Sequence, residues 1–293
     1  MGLAGSTALR DRLLAGLIAL GVTAGCATSD VDIEKLSSPS DQVVWEAGLA
    51  AVEEEAWEPA RQYFRRIIDA FPQSRYQPQA RIALADAYLA QGGPGNAILA
   101  VSQFRDFLNL YPSAEKADYA QFQSAEAYFS QKNAPDRDQT STLQALEEFT
   151  RLLDVYPDSP FVEPARVRIR ECRQTLALSQ FQVGYFYAKT RKAWRASIAR
   201  YEKILRDYPD FDDLEEVLFR LGEAQAAAAR FAEARPTFAR LKEEYPKSKW
   251  LGKADEILAK MPEMAAPIED VAAPAAEPAP TNSASADGPP PEL

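Results

Sequence analysis

Chemistry in this chain of 293 residues would fall to its 43 carboxylates and two thiols, because it holds no histidine. Histidine is the usual general base near neutral pH, the middle member of a Ser-His-Asp arrangement and a common zinc ligand, so its absence removes those options together. Carboxylate pairs could still act as acid and base, but the acids fall mostly where an amphipathic helix faces water, as at Glu53, Glu54 and Glu55. Cys172 lies among Ile169 and Leu176, a setting that suits a small buried hydrophobe better than a redox thiol. The run Gln91, Gly92, Gly93, Pro94, Gly95 has no strand before it and no Gly-Lys-Ser/Thr after it, so it forms a turn and not a phosphate loop. No cofactor or metal is expected, and the chain reads as non-enzymatic.

The second thiol, Cys26, has a different setting. Arg10 and Arg12 precede an apolar run from Leu13 to Val22, and Thr23, Ala24 and Gly25 then lead into Cys26. A basic start, about ten apolar residues and small residues before the cut make a secretory signal that is too short to span a bilayer. With cysteine directly after the small residues, the stretch resembles a bacterial lipoprotein signal, in which that thiol is lipidated and becomes the mature N-terminus. Residues 1–25 are therefore expected to be signal peptide, and 26–39 a lipidated N-terminus and tether. Ala27, in the place where aspartate would retain a lipoprotein, points by analogy to the outer membrane. If flexible, the tether would span ~20 Å.

These groups are carried on a repeat. Phe71-Pro72, Tyr111-Pro112, Tyr156-Pro157, Tyr208-Pro209 and Tyr245-Pro246 recur at intervals of 40, 45, 52 and 37 residues, each after an amphipathic run. Proline lacks a backbone N–H and biases the residue before it out of the α region, so each pair stops a helix at a fixed point. Small residues and aromatics sit at matching places before each stop, as with Gly48 and Phe64, Ala125 and Phe149, Gly184 and Tyr201, and Gly222 and Phe238. That is the pattern of tetratricopeptide units lengthened by insertions. The expected fold is all-α: a right-handed α-solenoid of five tetratricopeptide repeats plus a C-terminal capping helix. The repeat domain would cover 40–260, with units at about 40–74, 75–113, 114–158, 159–211 and 212–247 and the cap at 248–260. Ser40 or Asp41 would cap the first helix. From Val162 to Thr190 one helix should run for about 25 residues or more. Pro236, a few residues into its helix, should kink it or delay its start.

Net charge is −10, and it is uneven: six acids and no base follow Lys260. No basic face suited to nucleic acid is apparent. Residues 261–293, rich in proline, alanine and acid, read as a disordered tail.

Three stretches are more specific than the repeat. Asp136 to Thr140 precedes Ala145, Phe149, Leu152 and Tyr156; Val183, Gly184, Tyr185, Phe186 and Tyr187 follow; then Trp194 to Tyr201. Together they closely resemble the BamD family, tetratricopeptide lipoproteins of the outer-membrane β-barrel assembly machinery, over roughly Cys26 to Lys260. The resemblance implies a non-enzymatic scaffold lipid-anchored on the periplasmic face of the outer membrane. It implies docking to the barrel subunit BamA and other assembly-complex lipoproteins, and engagement of unfolded outer-membrane proteins. Arg200, with Arg195 and Trp194, is expected to contact the barrel subunit, since a guanidinium fork can hold a partner carboxylate. Trp45, Leu49, Ile82, Leu89, Tyr119, Phe122 and Phe129, on the first helices of the first three pairs, would line a groove for an extended peptide. Two rival functions are a pilotin for secretin assembly, which would share the anchor and repeats but lack the Arg137 to Thr140 insertion and the long central helix, and a periplasmic hydrolase using a carboxylate pair, which no motif supports.

Overall fold

The computed structural model describes residues 39–262, and every described element is helical. Cys26, the expected signal and tether, and the tail from residue 263 lie outside the described residues. The chain divides into two compact units between Gly92 and Gly93, inside the expected second repeat.

The first unit holds α1 (Asp41–Glu53), α2 (Trp57–Ala70) and α3 (Gln77–Gln91). Ser40 caps α1, its Oγ accepting from the Val43 N–H. The second unit holds α4 (Pro94–Leu110), α5 (Ala117–Phe129), α6 (Thr140–Val155), α7 (Val162–Phe186), a π-helical segment (Tyr187–Arg191), α8 (Trp194–Asp207), α9 (Leu214–Ala227), α10 (Phe231–Glu244) and α11 (Leu251–Ala259). Consecutive helices pack as hairpins within each unit.

The five aromatic-proline stops share one geometry. Phe71, Tyr111, Tyr156, Tyr208 and Tyr245 all have φ between −125° and −135° and ψ between 55° and 65°, and each donates its N–H to the carbonyl four residues back. The proline that follows supplies no further donor, so the ladder ends there. One of these aromatics reaches back along the chain: the Tyr156 hydroxyl donates to the Pro112 carbonyl at 3.0 Å.

Small residues set how closely the paired helices approach. A Cβ on Gly48 would meet the Phe64 ring at 2.6 Å, one on Gly184 the Tyr201 ring at 2.9 Å, and one on Gly222 the Phe238 ring at 2.6 Å. In each pair the larger side chain is fully or almost fully buried, so it has no space to yield.

The hairpin turns repeat as well. Glu55 and Ala229 adopt left-handed φ values of 56° and 59°, and the next residues close six-to-one bonds, Ala56 N–H to Ala51 O and Arg230 N–H to Gln225 O. Lys192 (φ 54°) takes the same role after α7, but there Ala193 bonds to the Tyr187 carbonyl, one residue further back. The π-helical segment accounts for that extra residue.

Of the two outcomes expected of Pro236, a later start is excluded, since α10 begins at Phe231 with the proline inside it. One further expectation needs correction. The capping helix begins at Leu251 and not at Ser248, because Ser248 turns the chain: its Oγ accepts from the Trp250 N–H and its carbonyl from the Leu251 N–H.

Candidate partner-binding surfaces

The end of α7 and the start of α8 form a corner. Gly184 lets α8 cross close, its missing Cβ leaving room for the Tyr201 ring and for Arg200, whose Cβ would lie 3.2 Å from it. Burial pushes the Tyr201 hydroxyl up to about 12, so that side chain stays neutral and acts as core. Arg200 is half-buried, and its Nη1 donates to Gln180 Oε1 of α7 at 2.7 Å. It forms no ion pair with Glu202 or Glu216; Glu216 pairs with Arg220. The guanidinium is thus held by a neutral acceptor and keeps its charge uncompensated by any ion pair among the described residues.

Around it the corner presents rings and cations. Tyr185 and Phe186 are 41% and 45% exposed. Arg191 stands 5.6 Å from the Phe186 ring centre, and Lys192 the same distance from Trp194. Arg195 is exposed, whereas Trp194 is half-buried against the α7–α9 core. Trp194 and Arg195 share an open depression of about 790 Å³ with Lys192 and, from the α9–α10 turn, Arg230. The structure therefore gathers Trp194 and Arg195 in one surface depression, while Arg200 faces α7.

Beneath the corner Arg220 pairs with both Glu216 and Glu223 and lies over the rings of Tyr185, Phe219 and Trp250. Burial opposes charge on Glu223, but Lys189 from the π-helical segment and Arg220 together outweigh it and hold the carboxyl below its usual range. This ties the π-helical segment to α9 by charge as well as by backbone.

The expected groove residues divide between the two units. In the first, Trp45 stacks on Tyr76 with ring centres 5.4 Å apart, and Leu49 is 40% exposed and Leu89 half-buried. Ile82 is only 4% exposed and cannot line a groove; α3 turns that position into the core beside Leu84 and Ala85. In the second, Phe122 stacks on Phe161 at 5.0 Å and touches Phe149, Phe129 meets Phe149 edge-on, and Tyr119 contacts Phe161. These rings are half-buried, so each joins neighbouring helices and keeps part of its surface exposed, Phe129 beneath the cations of Arg168 and Lys132.

A recurring device went unseen in the sequence. Ser74 Oγ donates to Asp41 and accepts from the Tyr76 N–H, while Tyr76 stacks on Trp45, four residues after Asp41. Ser159 does the same with Asp118, Phe161 and Phe122. Ser248 accepts from the Trp250 N–H, and Trp250 stacks on Phe219 at 4.7 Å. The signal was there, as aromatic-Pro-x-Ser-x-aromatic after three of the five stops.

The buried carboxylate Glu148 accepts from Arg105 and Gln121, both at 2.7 Å, and so is fully engaged in joining α4, α5 and α6. Cys172 is buried, and burial raises its thiol to about 12. Among the described residues no cluster of acids and thiols could hold a metal, and no helix is long and apolar enough to cross a membrane.

A model of the YfiO family, described as outer membrane lipoprotein, matches residues 38–234. The chain is 28% identical over 222 residues to the outer membrane protein assembly factor BamD of Haemophilus influenzae, covering 72% of this chain and 82% of that one. It is 27% identical over 218 residues to the protein of the same name from Caulobacter vibrioides, covering 74% and 70%. With that of Rickettsia prowazekii it shares 24% identity over 239 residues, covering 82% and 93%.

Proposed function

The chain belongs to the YfiO outer membrane lipoprotein family, and from that premise we propose that it is a non-enzymatic scaffold for assembling outer-membrane β-barrel proteins. It is anchored through lipid on Cys26 at the periplasmic face of the outer membrane. Its α7–α8 corner docks a BamA-like barrel subunit, and the partly exposed rings of Trp45, Tyr119, Phe122 and Phe129, with Leu49 and Leu89, engage extended segments of unfolded barrel proteins.

The observation that carries the docking role is the setting of Arg200. A guanidinium positioned by Gln180, without an ion pair among the described residues and on the helix packed over Gly184, which exposed Tyr185 and Phe186 directly follow, has the makings of an interface anchor. Arginine and aromatic residues are enriched where partners bury surface, and an arginine fork adds directional recognition of a carboxylate. The assembly role agrees with the names of its curated relatives.

The test is co-purification of the barrel subunit with tagged chain from detergent-solubilised native membranes, comparing wild type with Arg200→Glu and Arg200→Lys. Reversal of the charge should reduce recovery about tenfold or more, with the lysine variant in between and helicity by circular dichroism unchanged. Equal recovery by all three would remove Arg200 from the interface.

A further inference from the structure

The depression at the start of α8 is one-signed. Lys192 and Arg195 are exposed on its rim, Arg230 stands opposite with one ion pair to Glu233, and no carboxylate lines it. Trp194, Ala196 and Ala228 supply an apolar floor. A cationic rim over an aromatic and alanine floor fits an acidic segment rich in proline and small residues, since proline-rich chain docks well on aromatic-lined grooves and the charges attract.

This chain carries such a segment. Residues 263–293 contain seven prolines, six acids and no base. The described residues end against α10, the helix that Arg230 precedes. Met261 is buried with Phe231 and Ala226, and the Pro262 carbonyl accepts from Arg235 Nη2 at 2.8 Å. Arg230 directly precedes α10 and Arg235 lies in its second turn, five residues on, which is about 7.5 Å along the helix. Glu269 and Asp270 follow Pro262 by seven and eight residues, an extended reach of about 23–28 Å. Glu277, between Pro274 and Pro278, lies beyond them.

We infer that the acidic tail is the intramolecular occupant of the Lys192, Trp194, Arg195 and Arg230 depression. The tail then competes with any acidic partner segment for this face. Occupancy does not depend on the docking role proposed above; the competition does.

The test places a benzophenone-bearing amino acid at Ala196 in the full-length lipidated chain and maps its photo-cross-links by mass spectrometry, first on purified protein without partners. The expected product is an internal link to a peptide within 263–293. That link should fall at least tenfold at high salt, in Lys192→Glu with Arg195→Glu, and in a chain with Glu269, Asp270 and Glu277 changed to glutamine. It should return when those three positions carry lysine opposite the reversed rim. The glutamine variant alters only the tail, so loss of its link cannot come from a misfolded α8. Absence of tail peptides, or cross-links only to a second copy, to lipid or to another protein, would overturn the inference. The Arg200 co-purification result would stand either way, because it reads a different side chain.

Discussion

Two junctions in the second unit join successive helix pairs by different means. Where α7 follows α6, Ser159 is bonded to Asp118, and Phe161 stacks on Phe122, so the joint is a stacked ring pair held in register by one hydroxyl. Where α9 follows α8, the third and fifth places after the stop tyrosine hold a buried Phe211 and Asp213 in place of the serine and the ring. There Arg173 grips Asp210 and the Asp207 carbonyl, Gln174 bonds to the Asp210 carbonyl and accepts from the Asp212 N–H, and Arg170 pairs with Asp212. The first joint draws mainly on ring burial, which is insensitive to ionic conditions. The second adds a rim of partly exposed charge, which contributes little stability per pair and responds to salt and acid. The adaptable joint is the one next to the α7–α8 corner, where a partner is proposed to dock.

The largest expected effect comes from breaking the aromatic joint. Phe161→Ala removes the stack on Phe122 and the contact with Tyr119 and should lower unfolding stability by about 2 kcal/mol, with the same loss in low and high salt. A urea midpoint that did not move would mean the stack is incidental to the joint.

Breaking the charged joint should do less and depend on conditions. Arg173→Ala should cost about 0.5–1 kcal/mol at low salt and less at high salt. Arg173 holds the Asp210 carboxyl below its usual range, against the opposing effect of burial. A carboxyl whose folded value is depressed stabilises above its unfolded value of about 3.9 and loses that contribution as pH falls through the lower folded value. Wild type and Arg173→Ala should therefore differ at pH 6, begin to converge below about pH 4 and coincide only once the pH is below the depressed folded value. A difference that did not shrink as pH fell below about 4 would show that the arginine acts through packing of its stem and not through charge.

Much of this was legible before the structure. The five aromatic-proline pairs mark five helix ends because the missing donor acts locally, whatever packs nearby. Gly184 and Gly222 were readable as close approaches because their bulky counterparts recur at a fixed spacing. What escaped depends on partners distant in sequence. Asp118 and Ser159 are 41 residues apart, and neither is unusual alone. Ile82 was assigned to an inner face because its helix is apolar on more than one side, so periodicity does not fix which side is buried. The π-helical segment and the left-handed Lys192 left no mark, since neither needs a glycine or proline. The depression shared by Lys192, Arg195 and Arg230 exists only once the α9–α10 turn is set beside the start of α8.

The scaffold role is tested most directly by depleting the chain in its own cells and following newly made outer-membrane β-barrel proteins by their heat-modifiable migration in gels. The account predicts that the folded, heat-modifiable form falls as the chain is lost and recovers with the wild-type chain, but recovers poorly with Arg200→Glu. Normal barrel folding in depleted cells would contradict it.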